Sequence, residues 1–346
     1  MLTDKQIDEI REHLDKAQNP LFFFDNDDDG LCSFLLLQRF LGRGRGVAIK
    51  SFPDLNISYY RKVAELKPDY VFILDKPIVS KEFLDKIKQD NLPIVWVDHH
   101  MVDKPEDKDI HYYNSYHNDK NNEPVSYICY KAANKKEDIW LAIIGCISDC
   151  YLPDFFEEFN GKYSELSKKN PKSAFDLLYT SEIGKIARIL DFSLKDTTTN
   201  VVNMLRFMIR AKGPVDILEE NSKTRQILRR YEQINEKYQE LMEKARKQRG
   251  DKLLYFQYGG PLSLSANLSN QLIYEFPKKI VVVAYLNGDI ANISMRGNNK
   301  EVLGLTLEAI KGIEGASGGG HKFATGAKMN VSSLPLFKER IEKLVK

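Results

Sequence analysis

Cysteine is scarce, four residues in 346, and a chain of this length with so few thiols is not a disulfide scaffold and is expected in a reducing compartment. Net charge is nearly absent: 51 Lys plus Arg against 49 Asp plus Glu leave a formal +2. Bulk attraction therefore cannot draw in a nucleic acid or a membrane, and any anionic partner has to be held locally. No apolar run approaches the roughly 20 residues of a membrane span, and no signal segment precedes Asp4. A cytoplasmic protein with no membrane partner is expected. Internal repeats and low-complexity segments are also lacking. Hydrophobic residues at 42% and charged residues at 29% exclude a disordered chain, and a length about twice that of a single domain predicts two folding units.

What is present begins with alternation. Apolar strands at Leu21–Phe24, Val47–Phe52, Tyr70–Leu74 and Ile94–Val97 alternate with helical stretches at Leu31–Leu41, Ser58–Leu66 and Lys81–Lys88. Strands that are apolar on both faces belong to a parallel sheet covered by helices on either side. After Asn121 the chain reads as helical, punctuated by Pro124, Pro153, Pro171 and Pro214, with an amphipathic stretch from about Glu219 to Gln248. Between Asn221 and Gly250 nine Lys or Arg face four Glu. A solvated helix face is the ordinary reading of that excess, and a basic ridge that tracks a strand is the other. A β-rich pattern opens at Leu253, with strands expected at Leu253–Gln257, Lys279–Tyr285, Asp289–Met295 and Gly326–Val331. Helices are expected at Leu264–Tyr274, Leu303–Lys311 and Leu334–Val345. The expected architecture is α/β, with a parallel-sheet domain over 1–190, a helical linker over 191–250 and a smaller α/β domain over 251–346.

The residues that carry chemistry begin where the strands end. Asp25, Asp27, Asp28 and Asp29 place four carboxylates in five residues before Gly30, and such a run repels itself unless a multivalent cation neutralises it. A calcium loop has the same opening but needs a Glu six residues after the glycine, where Leu36 stands, and an incoming helix rather than a strand. A helix N-terminus decorated with acids is the mundane alternative, although one or two acids suffice for it. Asp75 follows Tyr70–Leu74, and Asp98-His99-His100 follows Ile94–Val97. Asp149 closes the apolar run before it. Ligand sites of open α/β sheets lie at the carboxyl ends of the strands, so these groups should converge. Carboxylates with imidazole and no thiolate suit Mn²⁺ or Mg²⁺, the imidazole favouring manganese. Two such ions about 3.5–4 Å apart support in-line phosphoryl displacement. Cys146 and Cys150 lack the further ligands of a zinc site and are expected to be buried thiols.

Two glycine runs differ in context. Gly42-Arg43-Gly44-Arg45-Gly46 joins a helix to a strand, the reverse order of a phosphate loop, and reads as a connection. In Ser317-Gly318-Gly319-Gly320-His321 three successive glycines let a loop's amides approach an anion, with a histidine at their end; a plain turn is the competing reading. Arg296, at the end of an expected strand, offers a guanidinium fork for a phosphate.

Taken in order and interval, Asp27-x-Asp29-Gly30, Asp75, Asp98-His99-His100 and Asp149 resemble the four motifs of the DHH phosphoesterase superfamily. Ser294–Arg296 and Gly318–His321 resemble the accessory DHHA1 domain; the likeness extends over nearly the whole chain, which looks like the compact group that includes RecJ-like archaeal exonucleases and nano-RNases. The resemblance implies that Asp27 and Asp75 hold one Mn²⁺ and that Asp29, Asp75, His99 and Asp149 hold the other, with Asp75 bridging. Asp98 then orients the histidine pair, His100 contacts the scissile phosphate, and Arg296, His321 and the glycines Gly318, Gly319 and Gly320 hold nucleotide phosphates. Two positions depart from the pattern. Phe23 stands where many members have a histidine, which makes Asp25 the substitute ligand, and Lys76-Pro77 after Asp75 is bulkier than the small residues expected there.

The expected function is a Mn²⁺-dependent phosphodiesterase with two ions, Mg²⁺ being the alternative, that shortens single-stranded RNA or DNA from an end, short RNA oligonucleotides slightly preferred. Hydrolysis of a small nucleotide such as 3′-phosphoadenosine 5′-phosphate or a cyclic dinucleotide is the rival within enzymes, and an inactive replication scaffold the rival outside them. The retained set Asp27, Asp29, Asp75, His99 and Asp149 speaks against the scaffold. Polarity of digestion, sugar preference, protein partners and oligomeric state, a homodimer included, are not encoded in any motif.

Overall fold

Alternate residues of each central strand turn to opposite faces, and both faces are apolar. A computed structural model describes residues 1–49, 54–248 and 250–345. The chain divides into two units, Met1–Tyr231 and Glu232–Lys346.

The first unit is built on β1 (Pro20–Asp25), β2 (Arg45–Ile49), β3 (Tyr70–Leu74), β4 (Ile94–Asp98) and β5 (Ile110–Asn114), all parallel and in spatial order β2-β1-β3-β4-β5. A separate pair, Asp54–Leu55 with Ile78–Val79, lies outside that sheet. Phe22, Phe24, Phe72, Leu74, Val95 and Val97 face one core, and Leu21, Phe23, Val71, Ile73, Ile94 and Trp96 face the other, the period-two division of a sheet covered on both sides. The first core is closed by α1 (Asp4–Lys16), α2 (Asp28–Leu41), then α5 (Val125–Ala133), α6 (Ile139–Ser148), α7 (Glu182–Leu194) and α8 (Thr198–Met208). The second is closed by α3 (Tyr60–Leu66) and α4 (Lys81–Gln89) through Val63, Phe83 and Ile87.

Three sequence expectations change. The strand expected at Val47–Phe52 is observed as Arg45–Ile49, residues 50–52 lying outside the described residues. β5 and α1 were not anticipated. β5 is an edge strand with one neighbour and a partly exposed middle, so His111 and its tyrosines mask the apolar pattern that marks the central strands. Of the two cysteines expected to be buried, Cys146 is, while Cys150 is exposed at φ 59° in the turn after α6.

The amphipathic stretch forms α9 (Arg225–Arg246), which runs across the division between the units. The second unit carries a five-stranded sheet of β6 (Leu253–Gly259), β7 (Ile280–Asn287), β8 (Ile290–Gly297), β9 (Ser317–His321) and β10 (Ala324–Asn330), ordered β9-β10-β8-β7-β6, with only β6 and β7 parallel. Helices α10 (Ser265–Glu275), α11 (Leu303–Ile310) and α12 (Leu334–Leu344) complete it. Ala309, Ile310, Phe337 and Ile341 pack on Val282, Ile293 and Met295. Here the glycine run expected as a loop is an edge strand: Gly318, Gly319 and Gly320 pair with Ala327, Gly326 and Thr325. A Cβ at Gly318 would lie 2.9 Å from Ile310 Cδ1, and Gly320 sits at φ 130°, so close packing and a left-handed backbone explain two of the three glycines. No helix of the described residues is long and apolar enough to cross a membrane.

Candidate metal centre

In this strand order the chain leaves β1 towards β2 on one side and returns to β3 on the other. The crevice of such a sheet opens at that switch point, beyond the carboxyl ends of β1 and β3. Asp25 ends β1, Asp75 follows β3, and Asp98 ends the adjoining β4. Strand order alone therefore gathers acids that lie far apart in the sequence.

Local structure sets each side chain. Asp27 caps α2, its Oδ1 accepting from Gly30 N at 3.0 Å. A Cβ at residue 30 would stand 2.5 Å from the Asp25 carbonyl oxygen, so glycine lets the first turn of α2 close on the end of β1. Asp29 is buried and held by the start of α5. Its Oδ2 accepts from Val125 N at 2.8 Å, and its Oδ1 accepts from Ser126 N at 2.9 Å and from Ser126 Oγ. The open N–H groups of a helix start suit a carboxylate. Gly145 in α6 allows this approach, because a Cβ there would meet Ser126 Oγ at 2.3 Å. Asp75 takes a left-handed backbone, φ 59°, while its N–H still donates to Val97 O at 2.9 Å. That conformation is uncommon outside glycine and tolerated best by Asn and Asp.

Three groups of potential ligand atoms result among the described residues of the first unit, one of them Asp75, Asp98 and His100; the other two are the candidate ion sites. Asp25, Asp27 and Asp75 each present a carboxylate oxygen within 4.8 Å of the others, and Asp29, His99 and Asp149 do the same with the imidazole. His99 Nε2 stands 3.3 Å from Asp75 Oδ1 and 3.2 Å from Asp149 Oδ2, so Asp75 adjoins both groups. Asp149 ends α6 and is the exposed member. Asp28 does not join them: its Oδ2 accepts from Ser148 Oγ at 2.8 Å.

The electrostatics follow from burial. Burial first, and then Asp25 and Asp149, push the Asp27 carboxyl well above the usual range, and burial followed by Asp27, Asp29 and Asp149 does the same to Asp75. Burial and Asp149 raise Asp29 to about 6, with His99 and Ser126 pulling the other way. Burial disfavours a charged His100, but Asp98 Oδ1, 2.8 Å from its Nδ1, overrides burial and holds the imidazole at about 9. Asp98 is held below its ordinary value, since the two histidines outweigh its own burial.

Asp75 Oδ1 is buried and accepts no hydrogen bond among the described residues. Oxygen and imidazole donors without thiolate, crowded enough to raise one another's pKa, fit a hard divalent cation.

Three positioning residues were not signalled by the sequence. Ser126 has just been described. Asn114, at the end of β5, donates to His100 O at 2.9 Å and bears on Asp98 Oδ2 at 3.5 Å. Lys76 is fully buried, and its Nζ lies 2.9 Å from Asp25 Oδ1. The bulk noted after Asp75 in the sequence is thus an internal cation. Phe23, by contrast, belongs to the core on the other face of the sheet, packed edge-on against Phe83.

In the second unit Arg296 is anchored. Its Nε donates to Asn270 Oδ1 at 2.5 Å and its Nη1 to Met295 O at 3.0 Å and Thr325 O at 3.2 Å. Gly318, Gly319, Gly320 and His321 make up β9, the edge strand beside β10.

A doubly wound α/β unit with acids and imidazoles at its carboxyl edge, followed by a smaller α/β unit, defines a class of proteins suited to hold hard divalent cations. Residues 21–148 match the family model "DHH family, N-terminal domain", and residues 250–346 match the DHHA1 domain. The chain belongs to the DHH phosphoesterase superfamily and carries a DHHA1 domain; members of that superfamily are metal-dependent phosphoesterases. Among solved structures, RecJ from Thermus thermophilus in complex with Mn²⁺ is similar with a TM-score of 0.69 and 15% identity, over 99% of this chain and 55% of that one. The same protein with Mg²⁺ gives 0.62 and 15%, over 100% and 53%. An exonuclease RecJ bound to manganese gives 0.65 and 16%, over 99% and 95%. This chain spans about half the length of the Thermus protein, and at these identities the likeness is one of fold. No curated protein matches the chain by sequence.

Proposed function

We propose that the protein is a divalent-metal-dependent phosphodiesterase, using Mn²⁺ with Mg²⁺ as the alternative, that removes nucleotides from an end of single-stranded nucleic acid, short RNA above DNA. The observation that carries this reading is Asp75, which adjoins both ligand groups from the switch point of the sheet. One ion would be held by Asp25, Asp27 and Asp75, and the other by Asp29, Asp75, His99 and Asp149. Bound there, the ions supply Lewis-acid stabilisation to an in-line phosphoryl displacement.

The chain's own groups do the rest. Asp98 fixes the His100 ring through Nδ1 and keeps it cationic at neutral pH, so the partly exposed imidazolium can donate to a phosphate oxygen where negative charge develops. Asn114 holds the backbone of His100 in place. Arg296, the glycines of β9 and His321 are assigned to nucleotide phosphates.

The test is hydrolysis of RNA and DNA oligomers labelled at either end, beside 3′-phosphoadenosine 5′-phosphate and a cyclic dinucleotide, in Mn²⁺, Mg²⁺ or EDTA. Release of labelled mononucleotides from RNA in Mn²⁺, abolished by EDTA, is expected. Turnover of the small nucleotides alone would replace the exonuclease reading, and inactivity on all of them would end it.

A further inference from the structure

Of the nine cations noted in the sequence from Asn221 to Gly250, four are engaged within the fold among the described residues. Arg246 pairs with Glu275 at 2.7 Å, Lys237 with Glu240 at 2.8 Å and Arg225 with Glu220 at 3.5 Å, and Arg230 donates to Lys195 O. Lys223 is different. With Arg206, Arg210 and Lys212 it lines a cavity of about 480 Å³ in the first unit, between α8 and the start of α9. None of these four cations forms an ion pair among the described residues. Asp216 is the cavity's one carboxylate, and its Oδ2 already accepts from Lys212 N at 2.7 Å; an adjoining hollow adds Glu219.

The wall that presents the cations is held from beneath. The buried Arg39 guanidinium is fixed by Asp138 Oδ1 at 2.6 Å, and its Nη1 donates to the carbonyl oxygens of Met208 at 2.8 Å, Ile209 at 3.2 Å and Ala211 at 2.7 Å. The segment bearing Arg210 and Lys212 is therefore set rather than loose. Arg39 lies near the last turn of α2, whereas Asp28 and Asp29 open that helix. Eleven residues at 1.5 Å each separate the two ends by roughly 16 Å, so the cavity is distinct from the candidate metal centre.

We infer that this cavity binds a nucleotide, its phosphate held by Arg206, Arg210, Lys212 and Lys223 and its base laid on the half-buried ring of Phe207. Guanidinium forks and ammonium groups suit phosphate oxygens. An aromatic wall accepts any base face, and the volume lies in the range of small-ligand sites. The ligand is either a free nucleotide or one nucleotide of a strand, which share this chemistry. The inference does not rest on the proposed hydrolytic activity.

The test is isothermal titration calorimetry on the full chain in EDTA, with AMP, inorganic phosphate and a short RNA as separate probes. AMP should bind, with affinity falling about 10-fold or more in Arg206→Gln/Lys223→Gln, on the scale of two lost charge-assisted contacts, and about threefold in Phe207→Leu. Dependence on these side chains for RNA but not for AMP would identify a strand as the source; the reverse would identify the free nucleotide. The mutated cations are exposed, so melting midpoints should hold; if the first double variant unfolds, Arg210→Gln/Lys212→Gln takes its place. Binding of AMP and RNA that is undetectable, or unchanged in these variants, would overturn the inference. Inorganic phosphate binding as tightly as AMP with Phe207→Leu silent would overturn it too, leaving a bare anion site. Because the readout is metal-free, failure here is separable from failure of the hydrolysis assay.

Discussion

The two ligand groups at the edge of the first sheet handle the same excess of carboxylates in different ways. Asp25, Asp27 and Asp75 have a cation supplied by the chain, the buried ammonium of Lys76 on Asp25. Asp29, His99 and Asp149 instead have an imidazole, the N–H groups at the start of α5, and access to solvent at Asp149. The acidity runs opposite to what that cation alone would produce, because burial and the neighbouring acids outweigh it at Asp27 and Asp75. Asp27 and Asp75 are pushed well above the carboxylate range, while Asp29 rises only to about 6. Helix dipoles and hydrogen bonds favour the charged form of a buried acid and crowding by other acids opposes it, so the first group should be the harder of the two to keep ionised.

The strongest way to break this comparison is to remove the residue that adjoins both groups. Asp75→Asn, which tolerates the left-handed backbone that alanine resists, should lower kcat by about 1,000-fold or more while the circular dichroism spectrum and melting midpoint stay close to wild type. Retention of more than a few per cent of turnover in Mn²⁺ would mean that Asp75 serves only one group.

Next in size is a change confined to the first group. Asp25→Asn removes a candidate ligand and also takes a carboxylate from the fully buried Lys76, which should cost about 3 kcal/mol of stability. The Mn²⁺ concentration for half-maximal activity should rise about 10-fold. In Asp25→Asn/Lys76→Met the melting midpoint should largely recover while the weakened metal response remains. A double variant that recovers both would show that Asp25 acts through Lys76 alone.

The sequence made much of this edge legible because each group directly follows a strand that reads as apolar on both faces: Asp25 after Leu21–Phe24, Asp75 after Tyr70–Leu74, Asp98 after Ile94–Val97. What stayed hidden depends on partners far along the chain. Asp28 looks equivalent to its neighbours in the run of acids, yet it meets Ser148, and no local pattern tells that α6 ends beside α2. The grip of Val125 and Ser126 on Asp29 is equally non-local; the only trace is Pro124, which marks a helix start. The Gly318–Gly320 strand was illegible for another reason. Glycine has little preference for strands, and β9 is specified by the pairing β10 offers rather than by its own residues.

The smallest expected effect separates the two groups by acid. A carboxyl whose pKa is raised holds its proton to higher pH, and that proton competes with a metal ion, so affinity falls as pH drops through the raised pKa. For Asp29 at about 6, three quarters of the apo protein is protonated at pH 5.5, a loss of about fourfold in affinity relative to neutral pH. Asp27 is raised further, so an ion in the first group should already weaken at higher pH. The same sign applies to folding. Carboxyls raised in the native state bind more protons than in the unfolded one, so the metal-free protein should lose stability as pH rises from about 4 towards 6 and beyond, and Mn²⁺ should restore it. Counting bound Mn²⁺ by electron paramagnetic resonance from pH 8 to pH 5 should give two steps, the first group emptying before the second. Simultaneous loss of both ions would show that Asp75, shared between them, sets the acid response of the whole edge and that Lys76 makes no difference to it.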